Sequence, residues 1–496
     1  MMKGVKGAFC ALICIMLALC AAYAEEAVVI NGELEPLTGE ETLSLLAEVT
    51  EEYMNDPEIA RQMEASLTAG EIPDPFSEEG QTLEVFTLTD GERKMRFLME
   101  IVGDADENGL YPLYITLHGG GGTAPESNDE EWVRMFDYYR EAVESGIYIA
   151  CRGITDTWDL HFRPESYPLY DRLISTMVRL FSADPDRVYL LGFSAGGDGV
   201  YQIAARMTDR FAAANMSSGH PNGVSLRNLA NCPFSIQAGV RDFYSEGAMR
   251  CFRAAEFEQV LNGYHDELGG GYEHQVLIHV PEGHNYDDTT AGHLGEVLAD
   301  PATYADPAIR ESMLYAFEEA LQTCAGDDVY ADVSYYYPGM NREFDEEIRR
   351  IVREDFRLET TFKNTSAVDY VNRFTRDPAP ASVVWDLGTR AESRQVTSFY
   401  WLRAGKEVTE GIITAKVTGD NTITVRPENV NGDFSILLHP LMVDFSRPVR
   451  IVTPQGEYEV IVRPSRDVLK ASMLETGDPA LAWAAEIPYS ALFASE

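Results

Sequence analysis

Between Tyr111 and Val280 the chain alternates short apolar runs with amphipathic helical ones, and no other feature constrains its fold as strongly. PLYITLH, GIYIAC, RVYLLGF, FAAANMSS, PFSIQAGV and QVLIHV read as strands. Helical periodicity occupies residues 130–145, 167–181, 196–207 and 248–263 between them. Strands separated by helices predict a mostly parallel sheet with helices on both faces, because a parallel crossover has to pass over the sheet. Right-handed crossovers then bring the C-terminal ends of the parallel strands to one edge, where ligands bind.

The chemistry-bearing motifs fall at those strand ends. RVYLLGF runs into Gly192-Phe-Ser194-Ala-Gly196. Small residues on both sides let a strand turn sharply into a helix and leave the serine exposed at the tip, as in a nucleophile elbow. Such a serine needs a base and an orienting carboxylate later in the chain. Of nine histidines, His284 alone stands in a loop, PEGHNYD, just beyond the last strand. Asp242 closes PFSIQAGVRD on the same edge, with Glu246 and Asp287 as rival acids. His118-Gly-Gly-Gly-Gly122 ends the first strand, and its bare N–H groups suit a developing alkoxide. With the N–H of Ala195 this glycine run completes the expected oxyanion hole. Trp158 and His161, in TDTWDLH, and His220, in SSGHP, overhang the same edge as candidates for substrate contact. For each of them, packing or loop structure is the competing role.

No lysine occurs between Lys94 and Lys363, which excludes Schiff-base chemistry, Ser–Lys dyads and Walker-type phosphate binding around Ser194. A net charge of −42 disfavours nucleic acid and anionic membranes as partners. Lys3 and Lys6 precede an apolar run from Ala8 to Cys20 and the small residues of Ala22-Tyr-Ala24. This reads as a signal peptide over 1–24, hence a secreted, extracytoplasmic protein, and no later run reads as a membrane span. Cys151, Cys232, Cys251 and Cys324 remain after cleavage and are expected as free or buried thiols. Residues 25–80 read as an acidic helical segment, and Asp90-Gly91 as the turn of a hairpin. The catalytic unit is expected over 81–378. The pattern blurs over 289–366, and after Asp377-PAPA short alternating runs predict a small all-β domain over 379–496.

HGGGGT, GFSAGGDG, GVRD and EGH, in this order, resemble the α/β-hydrolase superfamily. In particular they resemble secreted esterases of the polyhydroxybutyrate depolymerase and feruloyl esterase type. Longer blocks, including RGITDTWDLHF and LMVDFSRPV, resemble a bacterial group of such hydrolases with a C-terminal β domain. The likeness covers roughly residues 83–462. It implies an α/β-hydrolase fold, a triad of Ser194, Asp242 and His284, and oxyanion donors at Gly120, Gly121 and Ala195. No metal or cofactor is implied. The chain departs from the pattern over 289–366, which looks like an insertion. The expected substrate is a carboxylic ester: aryl, short-acyl, carbohydrate-linked or a polyester. Two alternatives stand beside it: a peptidase of prolyl-oligopeptidase type, and a non-catalytic polysaccharide-binding protein on a hydrolase fold.

Overall fold

The computed structural model of the protein describes residues 27–239, 242, 250–279, 284–288, 366–391 and 397–493. The expected signal peptide, residues 289–365 of the expected insertion, Glu246 and Cys324 lie outside the described residues. The chain begins with strand β1 (Val28–Ile30), followed by helices α1 (Gly39–Asn55) and α2 (Pro57–Ser66). Thr38 and Glu41 cap α1 reciprocally, and Asp56 caps α2 ahead of Pro57, so each start is written locally.

A nine-stranded sheet follows, built from β2 (Leu67–Pro73), β3 (Thr82–Asp90), β4 (Arg93–Val102), β5 (Tyr111–Leu117), β6 (Gly146–Cys151), β7 (Ala183–Phe193), β8 (Ala213–Ser217), β9 (Phe234–Gly239) and β10 (His274–His279). Its order is β10-β9-β8-β7-β5-β6-β4-β3-β2. The six strands from β10 to β6 are parallel. The remaining pairings, β6 with β4, β4 with β3 and β3 with β2, are antiparallel. The hairpin turns between the paired residues Asp90 and Arg93, with Gly91 at φ 60°. Strand β2 falls in a segment whose sequence reads as helical. Most of its side chains are exposed, so no apolar alternation marks it, and its backbone pairing with β3 decides its conformation.

The helices α3 (Pro125–Tyr138), α4 (Ser166–Leu180), α5 (Ala195–Arg206) and α6 (Arg250–Leu268) connect these strands. Alternate residues of each strand serve opposite faces. Leu113, Ile115 and Leu117 of β5 pack with Leu173 of α4 and Val200 and Ile203 of α5. Tyr114 of β5 packs with Trp132 of α3 and with Val368 of α7 (Ala367–Val371) on the other face. Burial on both faces accounts for the continuous apolar runs.

The rest of the chain forms β11 (Ser382–Asp386), β12 (Ser398–Phe399), β13 (Leu402–Ala404), β14 (Ile412–Gly419), β15 (Thr422–Glu428), β16 (Phe434–Leu438), β17 (Val449–Thr453), β18 (Gly456–Val462), α8 (Arg466–Thr476) and β19 (Ala485–Pro488). A six-stranded sheet runs β1-β18-β17-β15-β14-β11, and a four-stranded one β12-β13-β16-β19. The N-terminal segment belongs to this unit. Val28 to Ile30 pair with Val460 to Val462, and Val49 and Tyr53 of α1 share a core with Trp385, Trp401 and Trp483. These tryptophans are buried, Trp401 donating its indole N–H to Pro380 O at 2.7 Å, so they hold the core together. The region is therefore not purely β, since α1 and α8 both contribute to its core.

Candidate active site

The turn after β7 carries Ser194 at φ 58° and ψ −122°, a conformation costly for any residue with a side chain. It is held by two backbone hydrogen bonds, Ser194 N–H to Ser217 O (2.9 Å) and Asp198 N–H to Ser194 O (3.0 Å). Close packing of α5 against the sheet leaves no room beside it. A Cβ on Gly196 would lie 1.9 Å from the carbonyl oxygen of Leu117. Gly196→Ala should therefore destabilise the fold by about 3 kcal/mol or more, read as a fall in the denaturation midpoint. An unchanged midpoint would mean that α5 can move off β5.

Three sequence-predicted side chains meet at this turn. His284 Nε2 lies 2.9 Å from Ser194 Oγ, and His284 Nδ1 lies 3.0 Å from Asp242 Oδ2. The carboxylate acceptor assigns the proton to Nδ1, so Nε2 faces the serine as an acceptor. Asp242 is fully buried, and Arg250 Nη1 reaches its other oxygen at 3.3 Å, so both carboxylate oxygens are engaged. The His284 segment is fixed as well. Ser218 Oγ donates to His284 O (2.8 Å), and Tyr286 Oη accepts the Ser218 N–H (3.0 Å). Asp288 sits buried among Ser217, Tyr138 and Tyr139, and burial pushes its carboxyl up to about 6.

The glycine loop follows β5 and passes beside the serine, Gly119 coming nearest to the Ser194 Cβ. Its first half rests on two buried imidazoles. His118 Nδ1 donates to Gly119 O (2.6 Å), while its Nε2 accepts the Gly153 N–H (3.0 Å). His161 Nε2 donates to His118 O (2.9 Å). Burial holds both rings neutral, His161 down to about 4. The expected donors need one correction: Gly121 N–H is committed to Asn128 Oδ1 at 2.9 Å and is not open to an oxyanion. Among the described residues, no acceptor is found for the N–H of Gly119, Gly120 or Ala195. Ala195 also opens α5, where the helix field favours negative charge.

The expected pocket residues fare differently. His161 is buried beneath the glycine loop, so it supports the loop and does not line a pocket. His220 is also buried. Its N–H is held by Asp198 Oδ1 at 2.6 Å, and its ring lies against Asn222. Trp158 is 57% exposed, with its backbone packed against Gly121 and its ring edge-on to Phe162. A cavity of about 320 Å³ instead opens beside the serine, lined by Gly119, Phe193, Asn285, Tyr286 and, from α3, Glu131, Arg134, Met135 and Tyr138. No local motif announces the four residues of α3. They sit on one face of that helix, and only the tertiary arrangement brings them beside Gly119, Phe193, Asn285 and Tyr286. Cys151 and Cys232 are buried free thiols, and burial pushes Cys232 up to about 12. Cys251 lies in α6.

No family model matches the chain. A stretch of 117 residues, 22% of the chain, is 31% identical to "Putative esterase NocK" of Nocardia uniformis subsp. tsuyamanensis and spans 33% of that relative's length. Among solved structures, a thermostable esterase is similar over 51% of this chain and 63% of its own, at 19% identity and TM-score 0.30. An S-formylglutathione hydrolase from Agrobacterium tumefaciens is similar over 44% and 91%, at 14% identity and TM-score 0.32. An acetyl xylan esterase from Paenibacillus sp. R4 is similar over 54% and 94%, at 12% identity and TM-score 0.28.

Proposed function

We propose that the protein is an exported serine esterase of the α/β-hydrolase type, which cleaves carboxylic esters through an acyl-enzyme. One observation carries the reading: the continuous chain Asp242–His284–Ser194, joined at 3.0 and 2.9 Å at the end of parallel strands. In this mechanism Ser194 Oγ attacks the ester carbonyl while His284 Nε2 takes its proton. Asp242 holds the imidazole in the required tautomer and stabilises its charge. The carbonyl oxygen, as it becomes an alkoxide, receives the N–H of Ala195 and an N–H from the Gly119–Gly120 segment. His284 then protonates the leaving alcohol, and a water activated by the same imidazole releases the acyl group. The adjoining cavity, walled by Tyr138, Phe193 and Tyr286, is large enough for an aryl or short acyl group.

An ester has a better leaving group than an amide, so this triad should favour esters. Comparing kcat/KM for p-nitrophenyl acetate, a feruloyl ester and an aminoacyl-p-nitroanilide tests this. Both esters are expected to exceed the anilide by at least about 100-fold. An anilide turned over fastest would make the protein a peptidase. The export reading is checked separately, by sequencing the N-terminus of the protein recovered outside the cytoplasm, which is expected to begin after Ala24.

A further inference from the structure

We infer that Asn128 positions the oxyanion loop, acting through the backbone of Gly121 and not by touching substrate; this rests on the esterase reading above. Asn128 lies in the first turn of α3 and is completely buried. Its side-chain oxygen accepts two hydrogen bonds from the loop, the Gly121 N–H at 2.9 Å and the Thr123 hydroxyl at 3.0 Å. Its side-chain nitrogen donates to Asp156 Oδ1 at 2.9 Å. The backbone oxygen of Asp156 takes the next loop amide, Gly122 N–H, at 2.9 Å. Arg152, itself buried, holds Asp156 and reaches Asp129 at 2.7 Å.

The consequence is a division of labour along four glycines. Asn128 and Asp156 consume the N–H groups of Gly121 and Gly122, leaving those of Gly119 and Gly120 for an anionic oxygen. The same contacts hold Gly120, Gly121 and Gly122 at φ between 64° and 92°, which any other residue resists. Asn128 Oδ1 also stands 2.5 Å from where a Cβ on Gly120 would be, so the amide occupies the concave side of the loop. A glycine run is otherwise the most mobile backbone a chain can have, and preorganised donors are what an oxyanion site requires. The amide does both jobs here, accepting from the loop while donating to a carboxylate.

The test uses three variants of the full chain: Asn128→Ala, Asn128→Asp and the exchange N128D/D156N. Turnover of p-nitrophenyl acetate, binding of a trifluoromethyl ketone and thermal unfolding are measured for each. A trifluoromethyl ketone forms a tetrahedral adduct with the serine and so reports on the oxyanion donors. Asn128→Ala is expected to lower kcat by about 100-fold with KM within about 3-fold, and to weaken the ketone in proportion. Asn128→Asp keeps the acceptor but sets two carboxylates against each other, so it should also be impaired. The exchange variant restores one amide and one carboxylate, and should recover to within about 10-fold of the original kcat. If Asn128→Ala fails to fold, the other two variants decide by the same recovery. A folded Asn128→Ala with kcat within about 3-fold of wild type, or an exchange no better than Asn128→Asp, overturns the inference. Wild-type protein that neither reacts with a fluorophosphonate at Ser194 nor cleaves the ester overturns the esterase reading, and this inference with it.

Discussion

Ser194→Ala should lower esterase turnover on the order of 10⁵–10⁶-fold, with the fold intact. The hydroxyl is the attacking atom in the proposed reaction, and its removal leaves a cavity no larger than one oxygen, so stability should hardly change. His284→Ala should cost about as much, because an undeprotonated serine is a poor nucleophile. The double variant should be little worse than either, since the two groups act as one unit. Asp242→Asn should cost about 10⁴-fold, because an amide at that position favours the tautomer that turns an N–H toward Ser194. Steady-state kinetics on p-nitrophenyl acetate, together with fluorophosphonate labelling, provides the measurement. A Ser194→Ala protein that retains more than a few per cent of turnover would move the nucleophile elsewhere.

The largest expected effect on stability lies far from the serine, at Asp478. This fully buried carboxylate takes Arg376 Nη1 at 2.8 Å and Arg210 Nη1 at 2.9 Å, and both guanidiniums are themselves buried. Burial alone would raise the Asp478 carboxyl, but Arg376 and Arg210 together outweigh it and hold the group below its ordinary range. Asp478→Ala takes one carboxylate from each of two desolvated cations, leaving, among the described residues, Asp186 for Arg376 and a longer contact to Asp171 for Arg210. The expected cost is about 3–5 kcal/mol, measured by chemical denaturation at neutral pH. A loss below about 1 kcal/mol would mean that water reaches the cluster and solvates the arginines. The sign with pH follows from the lowered value. The contribution is complete above the unfolded carboxylate's pKa near 4 and disappears as pH falls through the folded one. The variant should therefore lose less stability than wild type on acidification below pH 4.

Asp478 also shows how the nine-stranded sheet is tied to the rest of the chain. Its partners Arg210 and Arg376 come from the far side of the chain, Arg210 just after α5 and Arg376 just after α7. The Tyr400 hydroxyl reaches Thr208 O at 3.2 Å beside them. Helix α5, which follows Ser194, thus ends against the unit built from the chain's two termini.

How much of this the chain announces in advance depends on the range of the interactions involved. The strands β5 to β10, their helices and the elbow are legible because each is encoded within a few residues: a run of apolar side chains, a 3.6-residue period, a serine between glycines. Ser194, Asp242 and His284 could be named because parallel topology sends strand ends to one edge, so a position just past a strand implies a place near the site. The same rule failed for His161 and His220. It locates a backbone but not the direction of a side chain, and both rings turned inward to serve as hydrogen-bonding struts. Gly121 failed for a similar reason, since whether an N–H is open depends on an acceptor, Asn128, carried by the next helix. Strand β2, with few buried side chains, left no pattern to read, and the pairing of β1 with β18 spans more than 400 residues. Local chemistry along the chain determined the elements, the elbow and the identity of the candidate triad residues. The tertiary structure alone decided which amides stay open, which side chains wall the cavity and how the termini join, because those depend on partners that only folding makes neighbours.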